Sequence, residues 1–178
     1  MKKYYLKNNK PYQIREIDPK DSKKFIDYRT TLADETTYLR ASRSELNLNL
    51  EDQDKTIYNF INSDNQYSII AEINGIIIGN LQFRGGDHQR TRHAGEFGIS
   101  ILKDYWGNRI GYNLLSQLIE WVKDSKVVKK ISLEVREDNT SAIALYKTLG
   151  FKLEGTIRKN FYADDKYYDS HIMGMTFE

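Results

Sequence analysis

Apolar residues recur along this chain with two different periods, and the switches between them mark out the elements. Residues 12–17 alternate apolar and polar side chains and stop at Asp18-Pro19, which predicts a strand followed by a helix start with Asp21 or Ser22 as N-cap. From residue 23 to 38, Phe25, Ile26, Tyr28, Leu32 and Ala33 follow the three-and-four spacing of a buried helical face. Residues 51–61 predict a second helix, with acidic side chains in the first turn, where the helix dipole favours them, and Ile57, Phe60 and Ile61 turned inward. A loop joins the two.

From residue 67 the period shortens to that of a strand. The stretches 68–73 and 76–83 flank Asn74-Gly75. A two-residue type I′ turn needs positive φ at both central positions, which Asn-Gly tolerates best, so this is a hairpin. A polar loop at 85–93 leads into an apolar strand at 96–102. In 107–123, Ile110, Leu114, Leu118 and Val122 fall four apart and Leu115 and Trp121 widen the stripe, which predicts a long amphipathic helix. Residues 130–135 then predict a strand, 141–149 a short helix closed by Gly150, and 151–161 and 166–177 the last two strands. Strand, two helices, three strands, helix, strand, helix and two strands make an α/β chain. Its mixed sheet of about seven strands, flanked by about four helices, carries antiparallel hairpins at both ends and a parallel crossover in the middle.

The length, 178 residues, fits a single domain over 1–178, and the chain has two prolines, no Ser/Gly-rich linker and no internal repeat. It contains no cysteine, which excludes a cysteine nucleophile, a zinc ribbon and thiol redox chemistry. The 27 basic and 25 acidic side chains leave +2, without the concentrated basic excess of a dedicated nucleic-acid binder. Lys7, Asn8, Asn9 and Lys10 stand where a signal peptide needs an apolar run, and no stretch approaches the length that spans a bilayer. These features predict a cytoplasmic protein with no membrane partner.

Chemistry concentrates after residue 96. A strand runs through a short loop containing Gly107 directly into a long helix, aiming unpaired backbone N–H groups and the positive end of the helix dipole at one point. That is an anion site, most naturally for phosphate. It has neither the Gly-Lys-Ser/Thr ending of a P-loop nor the three spaced glycines of a dinucleotide fingerprint. The plainer alternative is that Gly107 and Gly111 only shape the turn.

Together with the loop 105–111, residues 139–151 form the pattern Asn-x-x-Ala-x-x-Leu-Tyr-x-x-x-Gly-Phe, from Asn139 through Ala142, Leu145 and Tyr146 to Gly150 and Phe151. In these segments the chain resembles the GNAT superfamily of acetyl-CoA-dependent N-acetyltransferases. The resemblance implies acetyl-CoA as cosubstrate, no metal, a coenzyme-binding core at about 96–151, acceptor-side helices at about 21–62 and a homodimer. It places the family's pyrophosphate loop, Gln/Arg-x-x-Gly-x-Gly/Ala, on Trp106, Gly107, Asn108, Arg109, Ile110 and Gly111, with Tyr112 following in the helix. Trp106 replaces Gln or Arg, which matters little where the backbone is the ligand. Arg109 replaces the first glycine, where a side chain either widens the loop or demands a strained φ, and its guanidinium is also able to extend toward a phosphate. Ile99, Ser100 and Ile101 match the strand whose backbone pairs with the pantetheine arm, Asn139 matches a coenzyme contact, and Tyr146 matches the general acid.

An amine must be neutral to attack a thioester. A lysine-like nitrogen with a pKa of about 10.4 is neutral in only about 1 molecule in 2,500 at pH 7, a penalty of about 4 to 5 kcal/mol, so a carboxylate should help remove the proton. The resemblance implies Glu96 for that role. Asp34, Glu35, Asp169 and His171 are candidates for holding a cationic amine, with Asp169 and His171 more naturally structural. The acceptor class stays open among protein N-termini, polyamines and small amines or amino acids. The competing reading is a catalytically silent acyl-CoA-binding or sensor protein, for which the Arg109 departure is the main argument.

Overall fold

The computed structural model describes residues 3–178. Its strands are β1 (Lys3–Tyr5), β2 (Pro11–Glu16), β3 (Gln66–Ile73), β4 (Ile76–Gly85), β5 (Ala94–Ile101), β6 (Lys130–Arg136), β7 (Lys152–Ala163) and β8 (Lys166–Thr176). The helices are α1 (Ser22–Glu35), α2 (Leu50–Ile61), α3 (Ile110–Asp124) and α4 (Thr140–Thr148). They form one sheet of eight strands in the order β1-β2-β3-β4-β5-β6-β8-β7. The expected strand count of about seven is therefore one short. The extra strand, β1, is three residues long and is held by pairing with β2 and by Tyr4 stacking on Tyr12 at 5.4 Å, neither of which a short local pattern announces.

Two faces of the sheet are covered. On one, α3 buries Leu114, Leu115 and Leu118 completely against Ile69, Leu81 and Phe83 of the hairpin strands, joined by Phe97, Leu133, Tyr146 and Phe151. On the other, α1 and α2 bury Phe25, Tyr28, Leu32 and Ile57 against Ile70 and Ile77. The hairpin turns at Asn74 and Gly75 with φ of 50° and 79°, the positive pair that a type I′ turn requires.

Two helix boundaries moved inward. The first helix stops at Glu35 instead of residue 38, because Thr36 is extended at φ −152°. The third starts at Ile110 instead of 107, because Gly107 and Arg109 both have positive φ, 73° and 61°.

The feature that positions a site is a split in the sheet. β5 and β6 run parallel but pair only at Ala94↔Lys130, Gly95↔Ile131 and Glu96↔Ser132. Beyond those pairs β5 continues on β4 to Ile101, while β6 continues on β8 to Arg136. Residues 97–101 and 133–136 thus diverge, and each strand leaves one edge of backbone without a strand partner.

Candidate active site

Alternation along β5 sorts its residues between the two faces of the split. Phe97, Ile99 and Ile101 pack with the α3 cluster, whereas Ser100 meets Tyr28 of α1. Glu96 and Gly98 share the Ser100 side. The Tyr28 hydroxyl donates to the Ser100 carbonyl at 2.9 Å and lies 2.9 Å from Ser100 Oγ, and burial pushes its pKa well above the ordinary tyrosine value.

The loop after β5 is held by its own side chains. The Trp106 indole N–H donates to the Ile101 carbonyl at 2.8 Å, and Asn108 Nδ2 donates to the carbonyls of Tyr105 and Trp106. Asn108 Oδ1 accepts the backbone N–H of Lys7 at 3.0 Å, tying the β1–β2 turn to the loop. A Cβ placed on Gly107 would lie 3.7 Å from Lys7 Nζ, so a lysine ammonium stands beside the loop. Arg109 occupies the left-handed conformation at φ 61° and ψ 13°, and its guanidinium lies over the Tyr112 ring at 5.3 Å. The side chain therefore takes the strained φ and does not widen the turn, and the backbone keeps a geometry that glycine would supply.

No side chain caps the N-terminus of α3. Helix geometry leaves the N–H groups of Ile110, Gly111 and Tyr112 without intrahelical acceptors, and the helix dipole points its positive end the same way. A Cβ on Gly111 would come within 3.1 Å of Leu145 Cδ2 and 3.3 Å of Ile101 Cδ1, so the bare backbone lets α3 close on β5 and α4. Ile99, Ile101, Gly111 and Leu145 thus meet at the α3 side of the split. The loop and the start of α3 can offer N–H donors to an anion, and β5 beyond Glu96 leaves one backbone edge without a strand partner.

Tyr146 lies on the same side. It is 6% exposed, with its ring edge-on to Phe97 and Phe151 at 6.0 and 5.9 Å. Burial raises its pKa well above the ordinary tyrosine value, and its hydroxyl has no hydrogen-bond partner among the described residues. Asn139 is the N-cap of α4, accepting from the Ala142 N–H through Oδ1 at 3.3 Å, which leaves its amide nitrogen uninvolved in that contact. Glu96 is exposed at the point where β5 and β6 part, with Arg84 and Ser132 as its register neighbours.

Four other candidates are occupied by structural contacts. Asp34 pairs with Arg43, and Glu35 accepts the Lys103 N–H at 2.7 Å. Asp169 accepts the Lys159 N–H at 2.8 Å, and His171 Nδ1 meets Thr156 Oγ1 at 3.0 Å. The sequence reading missed Glu134 of β6, a carboxylate whose side chain is only 10% exposed and which faces the Ser100 side of the split. Arg40 and Asn160 donate to it. It also missed Lys7, and it ended the second hairpin strand at residue 83, whereas β4 extends to Gly85 and includes Arg84.

The sequence model of the acetyltransferase (GNAT) family matches residues 31–151. The chain belongs to that family. Among curated proteins it is similar to the Escherichia coli L-amino acid N-acetyltransferase AaaT, 33% identical over 106 residues, which covers 59% of this chain and 65% of that protein. It is 41% identical over 80 residues to the E. coli [ribosomal protein bS18]-alanine N-acetyltransferase, covering 44% of this chain and 53% of the relative. The chain thus spans between half and two thirds of the length of these curated GNAT relatives. A crystal structure of a GNAT-family acetyltransferase from Streptococcus pneumoniae superposes with a TM-score of 0.90 at 30% identity, covering 93% of this chain and 99% of that one. The expected family and the mixed α/β fold are thereby established. Among the described residues, no helix is long and apolar enough to cross a membrane.

Proposed function

We propose that this GNAT-family chain is an N-acetyltransferase that moves the acetyl group of acetyl-CoA directly to a primary amine. The observation that carries the reading is the split between β5 and β6, with the uncapped start of α3 and the unpartnered Tyr146 hydroxyl at its α3 side. In this reading the backbone of Ile99, Ser100 and Ile101 aligns the pantetheine arm. The loop from Trp106 through Gly107, Asn108 and Arg109 to Ile110, Gly111 and Tyr112 holds the diphosphate, with Lys7 adding a positive charge beside Gly107. Asn139 offers its amide nitrogen to the coenzyme.

The amine arrives from the opposite side, where Glu96, Gly98, Ser100 and Glu134 lie. Its nitrogen must lose a proton before it attacks, and a carboxylate at the mouth of the split accepts it, directly or through water. Glu134 is the better placed by burial and Glu96 by the start of the divergence, so the two are separated by substitution. As the carbon–nitrogen bond forms and the carbon–sulfur bond breaks, Tyr146 supplies a proton to the departing sulfur. The chain has no cysteine, so direct transfer fits it better than an acetyl-cysteine intermediate.

The silent-binder alternative drew on Arg109. Because Arg109 adopts the left-handed conformation in place, that argument loses its force. Thiol release from acetyl-CoA, read with a thiol reagent against a panel of amines, tests the function. The cysteine-free chain gives no background in that assay. Amine-dependent release with Glu134→Gln slower by about 100-fold and Glu96→Gln little changed assigns the base to Glu134, and the reverse assigns it to Glu96. Acetyl-CoA binding without release from any amine would sink the transferase reading.

A further inference from the structure

A cavity of about 330 Å³ opens on the α1–α2 face of β4 and β5, with Ser100 in its lining. It therefore adjoins the side of the split from which an amine would approach. Its charged lining is wholly cationic. Arg29, Arg40 and Arg84 border it, and no aspartate or glutamate does. Arg40 is neutralised by Glu134. Among the described residues, neither Arg29 nor Arg84 has a carboxylate within ion-pair distance. The Arg29 guanidinium reaches only the Asn47 carbonyl, at 3.5 Å. That of Arg84 contacts Gln82 Oε1 at 3.4 Å and lies over the Phe60 ring at 4.7 Å.

Two neutral donors of the cavity also lack partners, beside others, such as Asn80 and Tyr28, that donate within the protein. Gln53 and Gln82 both line it, and the buried Nε2 of each has no hydrogen-bond partner. Gln53 is only 5% exposed. A buried amide without a partner costs about 1 to 3 kcal/mol, and the two lie beside the half-buried Arg29 and the exposed Arg84, neither of which has a carboxylate, so the cavity offers a surplus of donors. Desolvation lowers the pKa of both arginines, and the charge of Arg29 lowers that of Arg84 further, as two like charges facing one space should. Phe25, Leu32 and Leu46 supply an apolar wall.

We infer that this cavity receives the acceptor, and that the acceptor is an amine that also carries a carboxylate: an α-amino acid with an apolar side chain. The inference rests on the transferase reading. The carboxylate takes the donors of Arg29 and Arg84, the side chain lies on the apolar wall, and the amine is left toward Ser100 and Gly98. A polyamine would bring further positive charge against the same arginines and is disfavoured. The transfer balances: the ammonium nitrogen loses two protons and gains the acetyl carbon. One proton passes through the base to solvent, and the other ends on the sulfur as the carbon–sulfur bond breaks.

The test uses the full chain and the thiol-release assay with leucine, methionine and phenylalanine, each beside its α-amide, and with spermidine and an alanine-initiated peptide. The amide's amine is less basic than the amino acid's, so amine ionisation alone favours the amide. The inference expects the opposite, a kcat/KM at least about 100-fold higher for the amino acids, because the site's charged donors go unpaired with the amide. Arg29→Gln and Arg84→Gln should each cut that preference at least about tenfold and leave acetyl-CoA affinity within about twofold. Equal rates for acid and amide, faster release with spermidine or the peptide, or a preference that survives both substitutions overturns the inference and leaves the transferase reading standing. If no amine releases thiol, the transferase reading fails, and melting temperature judges the cavity. A rise with leucine that is absent with leucinamide and in the Arg29→Gln, Arg84→Gln double variant supports it, and no difference between leucine and leucinamide overturns it.

Discussion

Replacing Tyr146 by phenylalanine should separate chemistry from stability. The ring contacts with Phe97 and Phe151 survive the change, since phenylalanine presents the same edge at the same 6.0 and 5.9 Å. The lost hydroxyl has no protein hydrogen bond to forfeit. The hydroxyl oxygen is not fully enclosed, so it carries no buried-donor penalty and its removal should leave stability within about 0.5 kcal/mol. In a chain of this size that keeps Tm within about 2 °C. Proton donation to a leaving group contributes about 10²- to 10⁴-fold, so kcat should fall by that factor while the acetyl-CoA Kd stays within about twofold. Burial holds Tyr146 protonated well beyond the ordinary tyrosine range, and the same apolar surroundings raise the proton affinity of the departing thiolate. The kcat profile should therefore show no loss from Tyr146 ionisation up to about pH 10. Differential scanning fluorimetry, calorimetric titration with acetyl-CoA and thiol release at saturating substrate measure the three quantities. An unchanged kcat removes Tyr146 from the mechanism, and a Tm lower by several degrees shows that its hydroxyl has a partner.

Gly98 meets no atom within 4 Å of an added Cβ, so Gly98→Leu should fold normally and project into the acceptor side of the split. Amine-dependent thiol release is expected to fall at least about 100-fold with acetyl-CoA affinity preserved, and an active variant would place the acceptor path elsewhere. Lys7→Ala should weaken acetyl-CoA binding about two- to fivefold at low salt, with the difference vanishing near about 0.5 M salt, by isothermal titration; a salt-independent loss would mean that Lys7 acts through packing. Burial raises the pKa of Tyr28 and Tyr146, and burial with the charges of Glu16 and Glu120 pushes Tyr67 to about 12. The unfolded chain ionises first, at about pH 10, so their contribution is intact below that value and is lost as pH rises toward the folded values, by up to about 1.4 kcal/mol per pH unit for each tyrosine. Urea unfolding followed from pH 9 to 11 should show this decline, and a flat profile would contradict the burial of these hydroxyls.

The legible parts of the chain were those whose signal is local. Asn74-Gly75 announces its own turn, and the Ile110, Leu114, Leu118 and Val122 stripe announces the face of α3 that is buried. The segments that carry the family resemblance, the loop after β5 and Asn139 to Phe151, are likewise contiguous. What stayed hidden is defined by partners far away in sequence. β1 exists because β2 pairs with it, and Lys7 matters because its turn is fastened to Asn108, 101 residues away. Arg29 and Arg84 resemble any surface arginine until the fold places them on one cavity without a carboxylate, whereas Asp34 and Glu35 lose their candidacy only once Arg43 and the Lys103 N–H take them. Spacing records which residues share a face; it does not record which of them are left without partners.

That distinction bears on how a chain with a net charge of only +2 would handle two substrates that each carry an anionic group. A diffuse basic surface would attract both and orient neither. Here the strand β5 stands between two different solutions, because alternate residues face opposite sides. On the α3 side the positive potential comes from backbone N–H groups and a helix dipole, which need no net charge and bind at fixed geometry, with Lys7 and Arg109 adding full charges beside them. On the α1–α2 side it comes from two guanidinium groups that the rest of the protein leaves unpaired. Arg84 is exposed and Arg29 half-buried, so water solvates both in the free protein and a carboxylate on the ligand would take its place. The two sides meet at the split between β5 and β6, so an amino acid held through its carboxylate by the arginines and a thioester held by the backbone would come together there with their negative groups pointing away from each other.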